Sequence, residues 1–165
     1  VETAEAWRLA LSHNGPSVLA LSRQGLPAIR DEKKFENLTE KGGYIIKDVK
    51  GNRDVTIIAS GSEVNIALQV SDLLSKHKVN AAVISMPCWE LFENQNNDYK
   101  SKVIGDVLKV AIEAGSELGW HKYIGSKGMF FGLNTFGASA PALDLFKHFG
   151  LDPEEIKEKI LKRLN

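Results

Sequence analysis

Apolar positions along this chain fall into short continuous runs that are separated by stretches with helical spacing. The runs predicted to be strands cover residues 17–22, 44–48, 55–60, 81–85 and 107–112. Apolar residues spaced three and four apart predict helices over residues 3–13 and 62–76, and residues 92–103 are predicted to be helical in part. Continuous apolar strands that alternate with helices are typical of a mostly parallel sheet with helices on both faces. The predicted fold class is therefore α/β, with three layers in the order α/β/α.

The two ends of this alternating region carry its most specific signals. The gap between the runs 44–48 and 55–60 has the length of a hairpin loop, so the first strand is expected to be antiparallel to its neighbour. The last helix is predicted to begin after Asp152, a good N-cap residue, with Pro153 at its first position. Its buried stripe is predicted to consist of Ile156, Ile160, Leu161 and Leu164.

The residues that precede this region do not fit its pattern. One helix and one strand cannot form a sheet, so residues 1–27 either join the later sheet or belong to a domain upstream. Residues 28–41 are irregular and rich in charge, which is typical of a linker, and Gly42 and Gly43 close it.

Composition indicates the size of the protein, its partners and its cellular setting, but it does not indicate a reaction. The chain of 165 residues is long enough for one domain, and its 21 basic and 21 acidic side chains leave no net charge. The chain has no excess of basic residues that would indicate nucleic acid or an anionic membrane as a partner. No apolar run reaches the roughly 18 residues of a membrane span. Cys88 is the only cysteine, which favours a reducing, cytoplasmic setting. The N-terminus shows no signal-peptide pattern. Because the chain starts at Val1 and not at an initiator Met, we expect a cut piece or a processed product.

Residues 60–63 form a predicted turn from a buried strand into a helix. Backbone N–H groups at such a helix start can bind a phosphate or a carboxylate, so the turn at Gly61 could hold a small anion or a nucleotide. However, a single glycine is much less than the G-x-G-x-x-G motif of dinucleotide-binding proteins. A plain tight turn, with Ser62 capping the helix, is the favoured interpretation.

Several other residues allow a catalytic interpretation, but a structural role is favoured for each. Ser139 lies in a sequence close to the G-x-S-x-G elbow of hydrolases, yet Pro141 replaces the last glycine, and Ser139 is expected to cap a helix. Glu113 and His121 could form an acid–base pair, although a structural glutamate and a surface histidine are favoured. Cys88 is expected to be a small buried residue, and the histidines show no metal-ligand spacing.

Arg23 is the strongest single candidate for binding. It directly follows the predicted strand at 17–22, in a loop that contains glycine and proline but no adjacent carboxylate. The guanidinium group offers a two-pronged set of donors that matches the geometry of a phosphate. From the residues alone, a phosphate contact and a solvated surface arginine both remain open.

Seven short motifs, taken together, resemble the C-terminal portion of transketolase. They are ETAEAW at 2–7, LSRQGLP at 21–27, ASGSEV at 59–64, SMPCWELF at 85–92, EAGS at 113–116, LGW at 118–120 and FGASAP at 136–141. They occur in the family's order and at its spacing, which makes the set far more specific than any one of its members.

This resemblance implies a domain layout and one site residue. Residues 1–27 would be the tail of the pyrimidine-binding domain and residues 28–42 a linker. Residues 43–165 would be the transketolase C-terminal domain, a five-stranded mixed sheet between helices with one antiparallel strand. In the family, the arginine of the Ser-Arg-Gln motif grips the phosphate of the sugar substrate, a role that would fall to Arg23. Three positions depart from the family's pattern, namely Cys88, Gly105 and Asn134.

The resemblance also implies what lies outside this chain. The family holds thiamine diphosphate through Mg²⁺ (or Ca²⁺) with a Gly-Asp-Gly motif and a later asparagine. Here Gly105 and Asp106 are followed by Val107, and Asn96 and Asn97 precede them. No catalytic, cofactor-binding or metal-binding residue is therefore expected in this chain. Upstream thiamine-binding domains or a subunit are the expected partner.

Three functions follow from the sequence. The first is a non-catalytic C-terminal fragment or subunit of a transketolase, a cytoplasmic homodimer that transfers a two-carbon ketol unit between sugar phosphates in the pentose phosphate pathway. The second is a stand-alone α/β module that binds a small anion or a nucleotide at Gly61. The third is a purely structural interaction domain.

Overall fold

A five-stranded sheet forms the centre of the computed structural model, which describes residues 1–30 and 36–165. The strands are β1 (Tyr44–Lys47), β2 (Val55–Ala59), β3 (Ala81–Ser85), β4 (Leu108–Ile112) and β5 (Met129–Phe131). Their order across the sheet is β1-β3-β2-β4-β5. β1 is antiparallel to β3, and all other neighbours are parallel, so the predicted mixed sheet of the α/β class is confirmed. Residues 31–35 of the predicted linker lie outside the described residues.

Helices cover both faces of this sheet. They are α1 (Glu2–Ser12), α2 (Glu63–Lys76), α3 (Trp89–Glu93), α4 (Asn97–Ile104), α5 (His121–Ile124), α6 (Ala142–His148) and α7 (Pro153–Leu164), with a short 3-10 turn at Leu38–Lys41. One core cluster joins the sheet to α2 and α7, and a second joins the opposite face to α3, α4 and α5. The three-layer arrangement predicted from the alternation of strands and helices is therefore confirmed.

The central strand β2 shows why its sequence is apolar at nearly every position. Ile57 packs into the cluster with α2 and α7, whereas its neighbour Ile58 packs into the cluster with α3, α4 and α5. Successive side chains of a strand point to opposite faces, so a strand covered on both faces is apolar at nearly every position. Thr56 is the one polar residue of β2. Burying one isoleucine side chain completely contributes roughly 2–3 kcal/mol of transfer free energy, which makes this strand a main source of stability.

Three features of the sheet differ from the sequence prediction. The strand predicted over residues 17–22 does not form, because it pairs with none of the described strands, and Val18 is 95% exposed. The predicted antiparallel orientation of β1 is right, but its partner is β3 rather than the next strand in sequence, since β3 lies between β1 and β2. β5 was not predicted from the sequence, because a strand of only three residues is too short to show a pattern.

The C-terminal helix α7 forms as its local sequence predicts. Asp152 caps it, because a carboxylate oxygen of Asp152 accepts hydrogen bonds from the backbone N–H groups of Glu154 at 2.9 Å and Glu155 at 3.3 Å. Ile156 and Ile160 are fully buried against the sheet. The rest of the predicted stripe is less buried, since Leu161 is partly covered and Leu164, in the last turn, is 37% exposed. Within the described residues, no helix combines the length and apolar character that a bilayer span requires.

Candidate functional site

The loops that could carry function meet at one edge of the sheet. β2, β3, β4 and β5 are parallel, so the loops at 60–62, 86–88, 113–120 and 132–141 all leave from their carboxyl ends. This carboxyl edge is where open α/β sheets bind ligands. Residues 16–30 lie across part of it, and an open cavity of about 1290 Å³ lies between them, α1, the 60–62 turn and residues 87–91.

Arg23 is exposed in a bend of the chain and does not itself line this cavity. Its neighbours Ser22 and Gln24 line the cavity, and a Cβ atom placed on Gly61 would lie 3.8 Å from the hydroxyl oxygen of Ser22. The fold therefore brings the Arg23 turn against the 60–62 turn, two segments that the sequence could only consider separately. Among the residues that the structure describes, none forms a hydrogen bond or an ion pair with the Arg23 guanidinium.

Two carboxyl groups lie beside the 60–62 turn. The Ser60 hydroxyl donates a hydrogen bond to Glu113 at 2.7 Å, and the Ser62 hydroxyl donates one to Glu63 at 2.5 Å. Burial raises the pKa of Glu63, and its hydrogen bonds with Ser62 and with backbone N–H groups oppose that rise. Burial likewise raises the pKa of Glu113 to about 7, opposed by the Ser60 hydroxyl and assisted by the nearby charge of Glu63.

These carboxyl groups make the N-terminus of α2 less suited to binding an anion. A helix N-terminus attracts anions through its free N–H groups and its dipole. Here the first residue of α2 is Glu63 itself, whose side chain is buried and receives hydrogen bonds at the same end of the helix. Ser62 precedes α2, as predicted, but its hydroxyl bonds to Glu63 and not to the helix backbone. The geometry therefore does not favour an anion site at Gly61.

Replacing Glu113 by glutamine is expected to stabilise the chain at alkaline pH only. Because the pKa of Glu113 is raised from 4.5 to about 7, the folded state holds a proton that the unfolded state releases, so stability falls as pH rises from 4.5 to about 7. After a discount for partial exposure, Glu113→Gln should add about 2 kcal/mol to the free energy of unfolding at pH 8 and almost nothing at pH 4. Urea unfolding at both pH values measures this difference.

The exposed Glu117, in the same loop, supplies the matched control. Its carboxylate contacts only the exposed His121 ring among the described residues, at 3.2 Å. Glu117→Gln should change the free energy of unfolding by less than about 0.5 kcal/mol at either pH. A destabilising effect of Glu113→Gln at pH 8 would contradict the claim that burial destabilises the charged form of Glu113.

The other catalytic interpretations find no support in the geometry. Glu113 bonds to Ser60 and His121 pairs with Glu117, so the structure does not bring Glu113 and His121 together as an acid–base pair. Ser139 is exposed, and the prediction that it caps a helix is wrong, because α6 begins at Ala142 after an N-terminal Pro141.

Cys88 is half-buried at the carboxyl edge. Its thiol lies 3.5 Å from a carboxylate oxygen of Glu90. Burial raises the pKa of this thiol, and the Glu90 carboxylate adds to the rise. A thiol that stays protonated at neutral pH is a poor nucleophile. The side chain therefore fits the structural role that the sequence favoured.

The described residues do not fit a magnesium-bridged diphosphate. The side chain of Asn96 caps α4 by accepting the backbone N–H of Tyr99 at 2.8 Å, and Gly105 ends the same helix with a φ of 71°. Asp106 is exposed and has Lys109 at 4.0 Å. In residues 1–30 and 36–165 no three His, Cys, Asp or Glu side chains are grouped so that they could hold a metal ion.

A partly buried ion pair between Glu5 and Arg30 is a feature that sequence reasoning missed. Both guanidinium N–H groups of Arg30 contact the Glu5 carboxylate, at 2.7 and 2.8 Å. The partners stand 25 residues apart, and no periodicity or motif spacing connects them. Only the fold reveals that α1 is fastened to the residues preceding the sheet.

Comparison with known proteins assigns the chain to a family. The sequence model of the transketolase-like TK C-terminal domain matches residues 42–152. The chain belongs to the transketolase C-terminal domain family. The match covers most of the chain and includes every strand of the sheet, so the resemblance carried by the seven motifs is confirmed.

Individual transketolases match the chain from end to end. The transketolase of Sinorhizobium medicae is 48% identical over 166 residues, which are 99% of this chain and 24% of that protein. The solved transketolase of Leishmania mexicana is 37% identical with a TM-score of 0.87, again over 99% of this chain and 24% of the other. A solved complex of Pichia stipitis transketolase with sedoheptulose-7-phosphate is 36% identical, with the same TM-score and the same coverage. The chain thus spans about a quarter of the length of these transketolases.

Proposed function

We propose that this chain is the non-catalytic C-terminal portion of a transketolase that transfers a two-carbon ketol unit between sugar phosphates in the pentose phosphate pathway. Thiamine diphosphate and Mg²⁺ (or Ca²⁺) bind to upstream domains or to a separate subunit, and the complete enzyme is a cytoplasmic homodimer. Within this chain, residues 1–27 end the pyrimidine-binding domain, 28–42 form a linker and 43–165 form the C-terminal domain.

One observation carries the role of this chain in substrate binding. Arg23 is exposed at the carboxyl edge, beside the cavity, and no described residue neutralises its charge. A guanidinium group without a carboxylate partner is free to take a phosphate with two parallel hydrogen bonds. The related Pichia stipitis transketolase binds sedoheptulose-7-phosphate, a substrate class that supplies such a phosphate.

The catalytic chemistry is assigned to the part of the enzyme outside this chain, because the carboxyl groups that the structure describes in this chain are not arranged to hold a metal-bound cofactor. The two carboxyl groups beside the 60–62 turn, Glu63 and Glu113, already receive hydrogen bonds from serine hydroxyls. A thiamine cofactor supplies the carbanion chemistry of a ketol transfer, and the protein must hold its diphosphate through a metal ion. The part that binds the cofactor therefore belongs to the three quarters of the relatives' length that this chain does not span.

A chimeric enzyme tests this function. The 166-residue matching region of Sinorhizobium medicae transketolase is replaced by this chain, and ketol transfer from a phosphorylated ketose is measured. The chimera should be active, whereas the isolated chain should not turn over any substrate. Turnover by the isolated chain, or a correctly folded chimera that binds thiamine diphosphate but is inactive, would refute the proposal.

Within that chimera, Arg23→Ala should raise the KM for a phosphorylated ketose by about 10- to 100-fold. A hydrogen-bonded charge pair with a phosphate contributes roughly 1.5–3 kcal/mol, which corresponds to that change in KM. A donor without a phosphate should keep its KM. Arg8→Ala, at an exposed arginine of α1, is the matched control and should leave both KM values unchanged. Equal effects of Arg23→Ala on both donors would contradict a phosphate contact.

A further inference from the structure

The N-terminal helix α1 is fastened to the residues that precede the sheet by a partly buried ion pair. The Glu5 and Arg30 side chains are only 12% and 11% exposed, and their carboxylate and guanidinium groups meet with two parallel hydrogen bonds at 2.7 and 2.8 Å. Such two-pronged pairs fix both distance and orientation, unlike the mobile pairs of an exposed surface. The position of α1 relative to Arg30 is therefore specified by this contact.

Thr39, in the 3-10 turn before the sheet, and Tyr44, the first residue of β1, support the two partners. Thr39 donates to the Glu5 carboxylate through its hydroxyl at 2.7 Å and through its backbone N–H at 3.2 Å. Arg30 donates to the Tyr44 hydroxyl at 3.2 Å, and its guanidinium lies 5.0 Å from the centre of the Tyr44 ring. Both charged groups thus find their hydrogen-bond partners without water, as a buried ion pair requires.

A second carboxylate of α1, that of Glu2, adds hydrogen bonds between this helix and the sheet. Glu2 accepts hydrogen bonds from the Tyr44 hydroxyl at 2.5 Å and from the Ser85 hydroxyl at 2.6 Å. Tyr44 begins β1 and Ser85 ends β3, so the helix is bound at two points of the sheet as well as at Arg30. One face of α1 is therefore held by a continuous polar network.

The pair is charged at neutral pH. Burial alone would raise the pKa of Glu5, but the hydrogen bonds from Arg30 and Thr39 outweigh it and hold that pKa below its usual value. The hydrogen bond to Glu5 raises the pKa of Arg30 further above its normal range. Both groups are consequently ionised at neutral pH.

The Glu5–Arg30 pair also joins the two ends of the segment that carries Arg23. Glu5 precedes and Arg30 follows residues 13–29, which form no helix or strand and carry Arg23. The pair therefore closes these residues into a loop across the carboxyl edge, with Ser22 against Gly61. We infer that the Glu5–Arg30 pair is a clamp that sets the position of Arg23. This inference rests on the proposed function only in so far as Arg23 binds the phosphate of the substrate.

A spin label on the loop tests the clamp in the isolated chain. Gly25→Cys in a Cys88→Ser background gives one labelling site, since Cys88 is the only natural cysteine. Gly25 suits the label because no atom lies within 4 Å of a Cβ placed there. The label should broaden the NMR signals of backbone amides in the 60–62 turn when the loop lies in its clamped position.

Glu5→Gln and Arg30→Met are the clamp variants, and Arg53→Met is the matched control. Arg53 also forms a two-pronged pair, with Asp48 at 2.9 Å, but it precedes β2 and so lies at the opposite edge of the sheet. Both clamp variants should lose at least half of the broadening in the 60–62 turn, while the control keeps it. Unchanged broadening in Glu5→Gln, with the amide signals of β2 in place, would overturn the clamp.

Kinetics of the chimera separate positioning from general stability. Glu5→Gln should raise the KM for the phosphorylated ketose about 3- to 10-fold with kcat unchanged, and it should add little in an Arg23→Ala background. Arg30→Lys, which keeps the charge, should restore part of the KM lost in Arg30→Met. If Arg23→Ala raises KM and Glu5→Gln does not, the clamp is wrong. If Arg23→Ala itself has no effect, the phosphate role fails, and the spin-label result alone decides the clamp.

Discussion

Gly42→Ala is expected to lower the free energy of unfolding by about 4 kcal/mol. Gly42 has a φ of 74°, a left-handed conformation that costs a residue with a side chain roughly 1–2 kcal/mol. A Cβ atom there would also lie 2.1 Å from the backbone nitrogen of Phe92 and 2.4 Å from the carbonyl oxygen of Cys88. Both neighbours are backbone atoms, so relief requires a shift of α3, at a further cost of about 1–3 kcal/mol.

The effect should spread to the carboxyl edge. The Gly42 carbonyl accepts the backbone N–H of Cys88 at 3.0 Å, and its own N–H donates to the Thr39 carbonyl at 2.9 Å. A shift at Gly42 therefore displaces both the loop after β3 and the 3-10 turn that supports Glu5. Urea unfolding measures the loss of stability, and hydrogen exchange of residues 86–93 locates the displacement.

Gly51→Ala is the matched control for the backbone term. Gly51 also has a positive φ, of 95°, but no atom lies within 4 Å of a Cβ placed on it. Its substitution should cost only the conformational part, about 1 kcal/mol. If Gly42→Ala costs no more than Gly51→Ala, the close approach of α3 to Gly42 is incorrect.

Ile57→Ala is the second large effect, with an expected loss of about 3–4 kcal/mol. Ile57 is fully buried in β2, the strand with neighbours on both sides, where it is level with Val83 of β3 and Val110 of β4. Removal of its outer carbons leaves a cavity between the sheet and the helices α2 and α7, which backbone hydrogen bonds on both sides keep from collapsing. Deletions of this size in rigid cores cost roughly 2–5 kcal/mol.

The control for this prediction is Leu11→Ala. Leu11 is 82% exposed in α1, so its substitution should change stability by less than about 0.5 kcal/mol. Calorimetric melting of the three proteins gives the comparison. A loss below about 1 kcal/mol for Ile57→Ala would mean that the sheet is not covered by helices on both faces.

The parts of the fold that the sequence predicted are those whose signals are local or continuous. β2 and β3 are recognisable because both of their faces are buried, so all but one residue of each strand is apolar. α7 is recognisable because Asp152 and its capping bonds are neighbours in sequence. In both cases the information lies within a few residues, which is the range over which patterns can be read.

The failures depend on partners that are distant in sequence. Residues 17–22 have the composition of a strand, but a strand forms only where a neighbour completes its hydrogen bonds, and the described sheet offers none. The Glu5–Arg30 pair joins residues on either side of a loop, and only the fold brings them together. Likewise, Arg23 could be named as a candidate phosphate ligand from its chemistry, whereas the approach of its neighbour Ser22 to the turn at Gly61 could not be foreseen.

The most direct test of this account is a calorimetric titration of thiamine diphosphate with Mg²⁺ into the isolated chain and, in parallel, into the chimera with Sinorhizobium medicae transketolase. The account predicts binding to the chimera and no heat of binding to the isolated chain, because the metal-bridged cofactor is held by the other domains. Saturable binding of the cofactor to the isolated chain would contradict it.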